Sequence, residues 1–177
     1  EVLCALGPFE ALCGFRPLED SAALLARLDI SALEPVRHAL EHGRGEQGLE
    51  QAFRFLLAEP DAGELVDAVA AACRREAARD AAHGANLAWI VELARLHPGD
   101  AGVAAALLLN HVRLEAGEAL YLPAGNLHSY LRGMGVELMA SSDNVLRGGL
   151  TSKHVDVEEL CAILDFGAGP CDRVPVR

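Results

Sequence analysis

Apolar and polar positions follow two different rhythms along the chain, and the change falls near residue 97. From Pro17 to Leu96, apolar residues recur at three- and four-residue intervals in sequence rich in Ala, Leu, Glu and Arg, broken at short intervals by Pro, Gly, Asp or Ser. This pattern predicts a small helical array. Ser21 is placed to cap a helix over 22–28, and Ser31 one that runs through Leu40 and ends at Gly43-Arg44-Gly45. Residues 46–58 carry Leu49, Phe53, Leu56 and Leu57 on one face before Pro60 stops them. Asp61 caps a helix near 63–78 that buries Leu65, Val66, Val69, Ala72 and Cys73. A fifth helix, near 80–96, contributes Leu87, Trp89, Ile90, Leu93 and Leu96 to the core.

After His97-Pro98-Gly99-Asp100 the apolar stretches become short and are separated by Gly-containing turns. Residues 108–114, 118–122, 128–132 and 136–140 read as strands, with 115–118 and 132–135 as hairpin connections. Several short antiparallel strands at this pitch predict a sandwich or jelly roll. Asp156 starts a last short helix over 157–164, ahead of the Gly167-Ala168-Gly169-Pro170 linker.

Composition narrows the picture. At 177 residues and 51% apolar content the chain is long enough for a sizeable core, which excludes a disordered protein. Lys+Arg 15 against Asp+Glu 26 give a formal charge of −11, which excludes a general phosphate-backbone binder, so no nucleic acid is expected as a partner. The longest apolar run, 101–109, is far below the roughly 20 residues a membrane helix needs, so no membrane association is expected. The odd set Cys4, Cys13, Cys73, Cys161 and Cys171 contains no CxxC pair, so neither a disulfide framework nor a zinc–thiolate site is expected, and a cytoplasmic location fits. The opening at Glu1 and the ending at Arg173-Val-Pro-Val-Arg177 lead us to expect a segment of a longer protein.

Three segments concentrate unusual polar chemistry. In Tyr121-Leu-Pro-Ala-Gly-Asn-Leu-His128-Ser-Tyr130 a tight turn delivers His128 and Tyr130 to one strand face, because alternate residues share a face. A histidine there can ligate a metal in the mouth of a barrel, or be a turn histidine making one hydrogen bond. Glu137 with Ser141-Ser142-Asp143-Asn144 ends a strand in groups that hold sugar hydroxyls and that equally satisfy backbone at a turn. In Arg147-Gly-Gly-Leu-Thr-Ser-Lys153 two cations flank a glycine pair, which suits an anion site but is also the pattern of a solvated Gly-rich turn; the spacing is not that of a P-loop. His38 and His42 stand four apart on one helix without a third ligand and are read as surface residues. So are His83, His97, His111 and His154, and Arg74-Arg75 with Arg79.

Taken together, Ala116-Gly-Glu-Ala-Leu-Tyr-Leu-Pro-Ala-Gly-Asn-Leu-His-Ser-Tyr-Leu131 and Val136-Glu-Leu-Met-Ala-Ser-Ser-Asp-Asn-Val-Leu-Arg-Gly-Gly-Leu-Thr-Ser-Lys153 resemble the type I mannose-6-phosphate isomerases. The opening Leu3-Cys-Ala-Leu-Gly-Pro-Phe-Glu-Ala-Leu-Cys-Gly-Phe-Arg-Pro17 resembles the same family, as does Pro98-Gly-Asp-Ala-Gly-Val103 with Leu107-Leu-Leu-Asn110. The helical middle matches in character only.

The resemblance implies an α+β fold in which cupin-type antiparallel jelly-roll elements carry an α-helical insertion. Residues 1–18 and 99–166 would form the cupin domain, 19–98 the insertion, and 167–177 a linker toward a second cupin domain. It implies a monomeric zinc-dependent isomerase that interconverts mannose 6-phosphate and fructose 6-phosphate by proton transfer through an enediol. In that family one Zn2+ is held by a Gln, a His, a Glu and a later His. Glu1 matches the Glu and His128 the later His, and the other two would lie upstream of residue 1. Arg147 corresponds to the family's catalytic Arg, and Glu137 and Lys153 fall on active-site positions, with Tyr130, Asp143 and Asn144 as candidate substrate contacts. Leu127-His-Ser and Thr-Ser-Lys depart from the common Pro-His-Ala and Thr-Pro-Lys without removing a ligand or a charge. A non-catalytic cupin-like module that binds a sugar or sugar phosphate is the alternative.

Overall fold

The structure is a computed structural model that describes the chain except residues 60, 61, 80, 142–144, 172 and 175–177, and except the side chains of 81–83. Among the described residues, seven strands and seven helices follow one another in an α+β arrangement. Strands β1 (Val2–Ala5) and β2 (Phe9–Phe15) come first, then helices α1 (Leu18–Leu28), α2 (Glu34–His42), α3 (Glu46–Leu57), α4 (Ala62–Arg79), α5 (Ala81–Leu96) and the single turn α6 (Gly102–Ala105). After them come β3 (Leu109–Leu114), β4 (Ala119–Tyr121), β5 (His128–Arg132), β6 (Gly135–Leu138), α7 (Val157–Ile163) and β7 (Arg173–Val174).

The strands form two antiparallel sheets, in the orders β6-β1-β4-β7 and β3-β2-β5. Leu3, Ala5, Phe9, Ala11, Cys13, Val112, Leu114, Leu120 and Leu122 fill the space between them. The other face of β2 presents Leu12 to the helical layer, and Phe15 at its end stacks on Phe166 and meets Phe53 of α3 edge-on, with ring centroids 5.3 and 5.4 Å away. β2 is therefore buried on both faces, which explains why Phe9-Glu-Ala-Leu-Cys-Gly-Phe15 lacks the apolar–polar alternation of a half-exposed strand.

Both segments expected as hairpins turn out to be crossings between the sheets. The chain passes from β3 to β4 through 115–118 and from β5 to β6 through 132–135, and each time it changes sheet. β4 and β6 instead pair with β1, more than a hundred residues earlier in the chain, as a jelly roll requires. β6 also stops at Leu138 and is exposed along its length.

The five helices are present, but two of the expected caps are not. α1 begins at Leu18, directly after Pro17, so Ser21 lies inside the first turn, buried, with no partner for its hydroxyl among the described residues. Ser31 opens a short 3-10 turn, and Pro35 in the first turn of α2 sets its start. Asp61 lies outside the described residues. Leu96 is exposed and Trp89 only half-buried, because the face of α5 that meets the sheet is partly polar.

That polar contact centres on Glu10, which shares a face of β2 with Leu12 and is buried against α5. Its carboxylate accepts from Trp89 Nε1 (2.7 Å), His111 Nε2 (2.8 Å), Arg113 Nε (3.3 Å) and Arg132 Nη2 (2.6 Å). The Arg132 guanidinium also lies 5.7 Å from the Trp89 ring centroid. His111, expected at the surface, is thus enclosed, and burial pushes its pKa down against the pull of Glu10. Burial alone would raise the Glu10 pKa, but the four donors outweigh it and hold the carboxyl at about 2.

The C-terminal stretch expected as a linker is docked on the sandwich. Gly169 N–H donates to the Phe15 carbonyl (2.9 Å), Asn110 Nδ2 donates to the Gly169 carbonyl (2.8 Å), and β7 pairs with β4. This return brings Cys171 to Cys13 as a disulfide across 158 residues, contrary to the expectation from cysteine spacing. Spacing carries no information about a pair that only the tertiary fold brings together.

Glu10→Gln is expected to lower the unfolding free energy by about 1–3 kcal/mol at pH 7, read by urea denaturation. Because the folded pKa is depressed, this stabilisation is complete above the unfolded value of 4.5 and is lost as pH falls toward about 2. The gap between parent and variant should close over that range; a gap that stays constant would show that the charge of Glu10 is not what binds the layers.

Candidate active site

The two sheets meet at one end of the sandwich, and there the chain places Glu1, His128 and Glu137. Glu1 enters β1 through reciprocal backbone bonds with Leu122, N to O at 2.7 Å and O to N at 2.8 Å. Glu137 comes from the adjacent strand β6, where it is opposite Leu3. His128 opens β5 in the other sheet, opposite Cys13.

A bulge in β2 sets the height of His128. Gly14 adopts φ +62°, the pairing with β3 shifts register between Leu12 and Phe15, and the Gly14 N–H donates to the Leu127 carbonyl at 2.8 Å. A side chain at 14 would be strained at that φ and would press on the Asn126 amide, 3.0 Å from its Cβ.

His128 Nδ1 lies 3.0 Å from the Asn126 carbonyl oxygen. A carbonyl only accepts, so the proton belongs on Nδ1, and a neutral ring then presents a lone pair at Nε2. That Nε2 lies 3.3 Å from Glu1 Oε2, an oxygen sealed from solvent and without a hydrogen-bond partner among the described residues. Two acceptors face each other across a gap that only a proton or a cation can bridge. With Glu137, one ligand atom from each of the three residues lies within 4.8 Å of the others, the donor set of a divalent metal with mixed N and O ligands.

Tyr130, two residues along the same strand face, donates its hydroxyl to Glu137. Its ring packs against Phe9 and His128, each at a centroid distance of 5.5 Å. Burial, then the neighbouring Glu137 and Glu1, hold its phenol well above the usual range, so it stays a donor.

Glu1 and His128 open into a cavity of ≈ 690 Å³. The turn 122–129 contributes to the lining, as do Ala105 of α6, Ala106 directly after it, Leu160 and Ile163 of α7, and the loop 145–151 with Arg147. The only charged side chains among the described lining residues are therefore Glu1, Arg147 and, when protonated, His128, in a hollow lined by polar and apolar surface alike. Lys153 is exposed and does not line the cavity. Asp143 and Asn144 lie outside the described residues. His38 and His42 stack on one another at the surface.

Two contributions were not read from the sequence. The Asn126 carbonyl that orients His128 stands two residues before it in a quoted segment, but a backbone contact leaves no side-chain signature. The inclusion of Glu137 with the metal-ligating groups depends on β6 lying beside β1, a pairing the strand pattern did not show.

Comparison with known proteins bears on this arrangement directly. The chain is 33% identical over 184 residues to the mannose-6-phosphate isomerase of Rattus norvegicus, and 36% identical over 174 residues to that of Escherichia coli. These matches cover 96% and 98% of this chain and 43% of each relative. The chain is a homologue of the mannose-6-phosphate isomerases. It spans less than half the length of these relatives, and no family model matches it. Among solved structures, the apo mannose 6-phosphate isomerase of Salmonella typhimurium superposes with a TM-score of 0.81 at 36% identity, covering 96% of this chain and 42% of that one. The same enzyme bound to fructose 6-phosphate and zinc gives the same score and coverage. The likeness runs through the helical middle as well as both ends, and the cupin-type sandwich with inserted helices is the architecture of these isomerases.

Glu1→Gln in the whole protein places an amide N–H against His128 Nε2 and removes the negative charge. Zinc affinity, measured by competition with a chromophoric chelator, should fall by more than the roughly 10–100-fold typical of losing an outer hydrogen-bond partner. The metal-free protein should melt no lower than its parent. Unaltered zinc affinity would remove Glu1 from the ligand set.

Proposed function

We propose that the whole protein is a zinc-dependent isomerase that interconverts mannose 6-phosphate and fructose 6-phosphate. The observation that carries this reading is the facing pair of Glu1 Oε2 and His128 Nε2, at the edge of the cavity that Arg147 also lines. The homologues' name and the fructose 6-phosphate and zinc bound in the Salmonella typhimurium enzyme support it.

The interconversion moves a proton between C2 and C1 of the sugar through an enediol, which needs a base, charge stabilisation at the developing oxyanion and an anchor for the phosphate. Glu1 and His128 would hold the metal, with Glu137 beside them. Bound there, zinc would supply Lewis-acid polarisation and orientation for the sugar's oxygens. Arg147, exposed at the cavity rim, would supply a fixed positive charge for the enediolate or the phosphate. Glu137, held by the Tyr130 hydroxyl and outside the lining of the cavity, would take a sugar proton or hydroxyl. We keep Tyr130, Asp143 and Asn144 as substrate contacts. Lys153 has its part only if the loop carries it toward the cavity when substrate binds.

The formal charge of −11 argues against a nucleic-acid partner. No helix among the described residues is long and apolar enough to cross a membrane. We propose a cytoplasmic monomer.

A coupled assay for fructose 6-phosphate formation, run with and without chelator, tests the reading. Turnover should be lost to chelator and restored by zinc. Arg147→Ala should lower kcat by orders of magnitude, on the order of 10²–10³-fold as for loss of one oxyanion-stabilising donor, while zinc stays near one per chain. His128→Ala should lose metal and activity together. Sugar-phosphate binding without turnover in a folded, zinc-loaded protein would overturn the isomerase reading in favour of a binding module.

A further inference from the structure

Asp100, in the Pro98-Gly-Asp-Ala-Gly-Val103 segment, touches neither the cavity nor the metal-ligating cluster, yet both of its carboxylate oxygens are committed. Oδ1 accepts the Gly102 N–H at 2.7 Å, at the start of α6, and Oδ2 accepts the Thr151 N–H at 2.9 Å, in the loop that carries Arg147. We propose that Asp100 is a positioning residue for Arg147: it clamps the 145–151 loop to α6 and so sets the backbone from which the guanidinium reaches the cavity that Glu1 and His128 also line.

The surrounding backbone shows how close the clamp is. A Cβ on Gly102 would lie 2.8 Å from Gly149 Cα and 2.7 Å from Leu150 N, and a Cβ on Gly149 would lie 2.6 Å from Gly102 Cα. The two backbones touch, and no other residue type fits at either place. Leu150, next in the loop, is held at φ +55°, a left-handed conformation that a leucine adopts only when its surroundings impose it. The Thr151 N–H bond to Asp100 fixes the chain directly after it. On the other side, a Cβ on Gly148 would lie 2.7 Å from Leu127 Cδ1, the side chain immediately before His128. The loop is thus gripped between Asp100 with Gly102 on one side and the residue preceding His128 on the other. Arg147 is adjacent to that grip, so the clamp fixes the backbone from which its exposed side chain extends.

The chemistry favours aspartate. The site offers two backbone N–H groups converging on one short side chain, and a carboxylate accepts from both. An asparagine of the same size satisfies one and sets its own NH2 against the other. Alanine satisfies neither.

The kinetic arm of the test rests on the isomerase reading, and a second arm does not. In the whole, zinc-loaded protein, Asp100→Ala should lower kcat on the order of 10²-fold, the usual cost of a catalytic group displaced by about 1 Å, with zinc content unchanged and KM altered far less. Asp100→Asn should fall between it and the parent. In an Arg147→Ala background, Asp100→Ala should cost nothing further, because the two act as one unit. In the second arm, tryptic cleavage after Arg147 should be faster in Asp100→Ala than in the parent. If Asp100→Ala does not fold, Asp100→Asn carries both comparisons. An undiminished kcat, an equal loss with and without Arg147, or unchanged cleavage after Arg147 would each overturn the clamp. A parent protein without turnover would instead defeat the isomerase reading, and the cleavage comparison would still decide the clamp.

Discussion

Strand β2 is buried on both faces, and the rest of the molecule is arranged around that fact. Phe9, Ala11 and Cys13 point into the sandwich, while Glu10 and Leu12 point into the helical layer. A strand so placed cannot move without disturbing two cores at once, which makes it a rigid reference for everything paired to it. Its register sets β5, so that Cys13 faces His128, and its glycine bulge holds the Leu127 carbonyl just ahead of that histidine. The helices are tied to the same strand through Phe15 and through the carboxylate of Glu10.

The site follows from where the two sheets converge. One sheet supplies two carboxylates, the other an imidazole whose remaining nitrogen is fixed by a backbone carbonyl. Without a cation, negative charge and lone pairs crowd together at the end of an apolar sandwich; Tyr130 relieves Glu137, but nothing among the described residues relieves Glu1 Oε2. Such an arrangement costs free energy unless a positive charge fills it, which ties the stability of this end of the fold to its chemistry. Arg147 comes from a separate loop, which packs through Gly148 against Leu127, the residue just before His128.

Much of this was legible in the residues, and the parts that were not share a cause. The helices of the insertion declared themselves because each has one buried face, and α3 carries Leu49, Phe53 and Leu56 at helical spacing where expected. β3 was visible through its buried apolar positions, and β5 through the turn that precedes it. β2 escaped the pattern because burial on both faces erases alternation, and β1 because its exposed face carries Cys4 rather than a polar residue; without them the turns at 115–118 and 132–135 looked like local hairpins. Ser21 looked like a cap because its spacing was right, but the helix starts at Leu18. The Cys13–Cys171 pair, the enclosure of His111 and the closeness of Glu137 to Glu1 all depend on contacts between distant parts of the chain. Glu1, His128 and Arg147 were found through the motifs around them, and the fold brings all three to one cavity.

The central claim is that Glu1 and His128 face each other in order to share a cation. Crystals of the whole protein grown with zinc, measured at the zinc absorption edge, test it most directly. The account predicts an anomalous peak between them, with His128 Nε2 and a Glu1 carboxylate oxygen both at roughly 2.0–2.2 Å from the metal. A peak elsewhere, or none, with Glu1 Oε2 accepting a hydrogen bond directly from a protonated His128 Nε2, would contradict it.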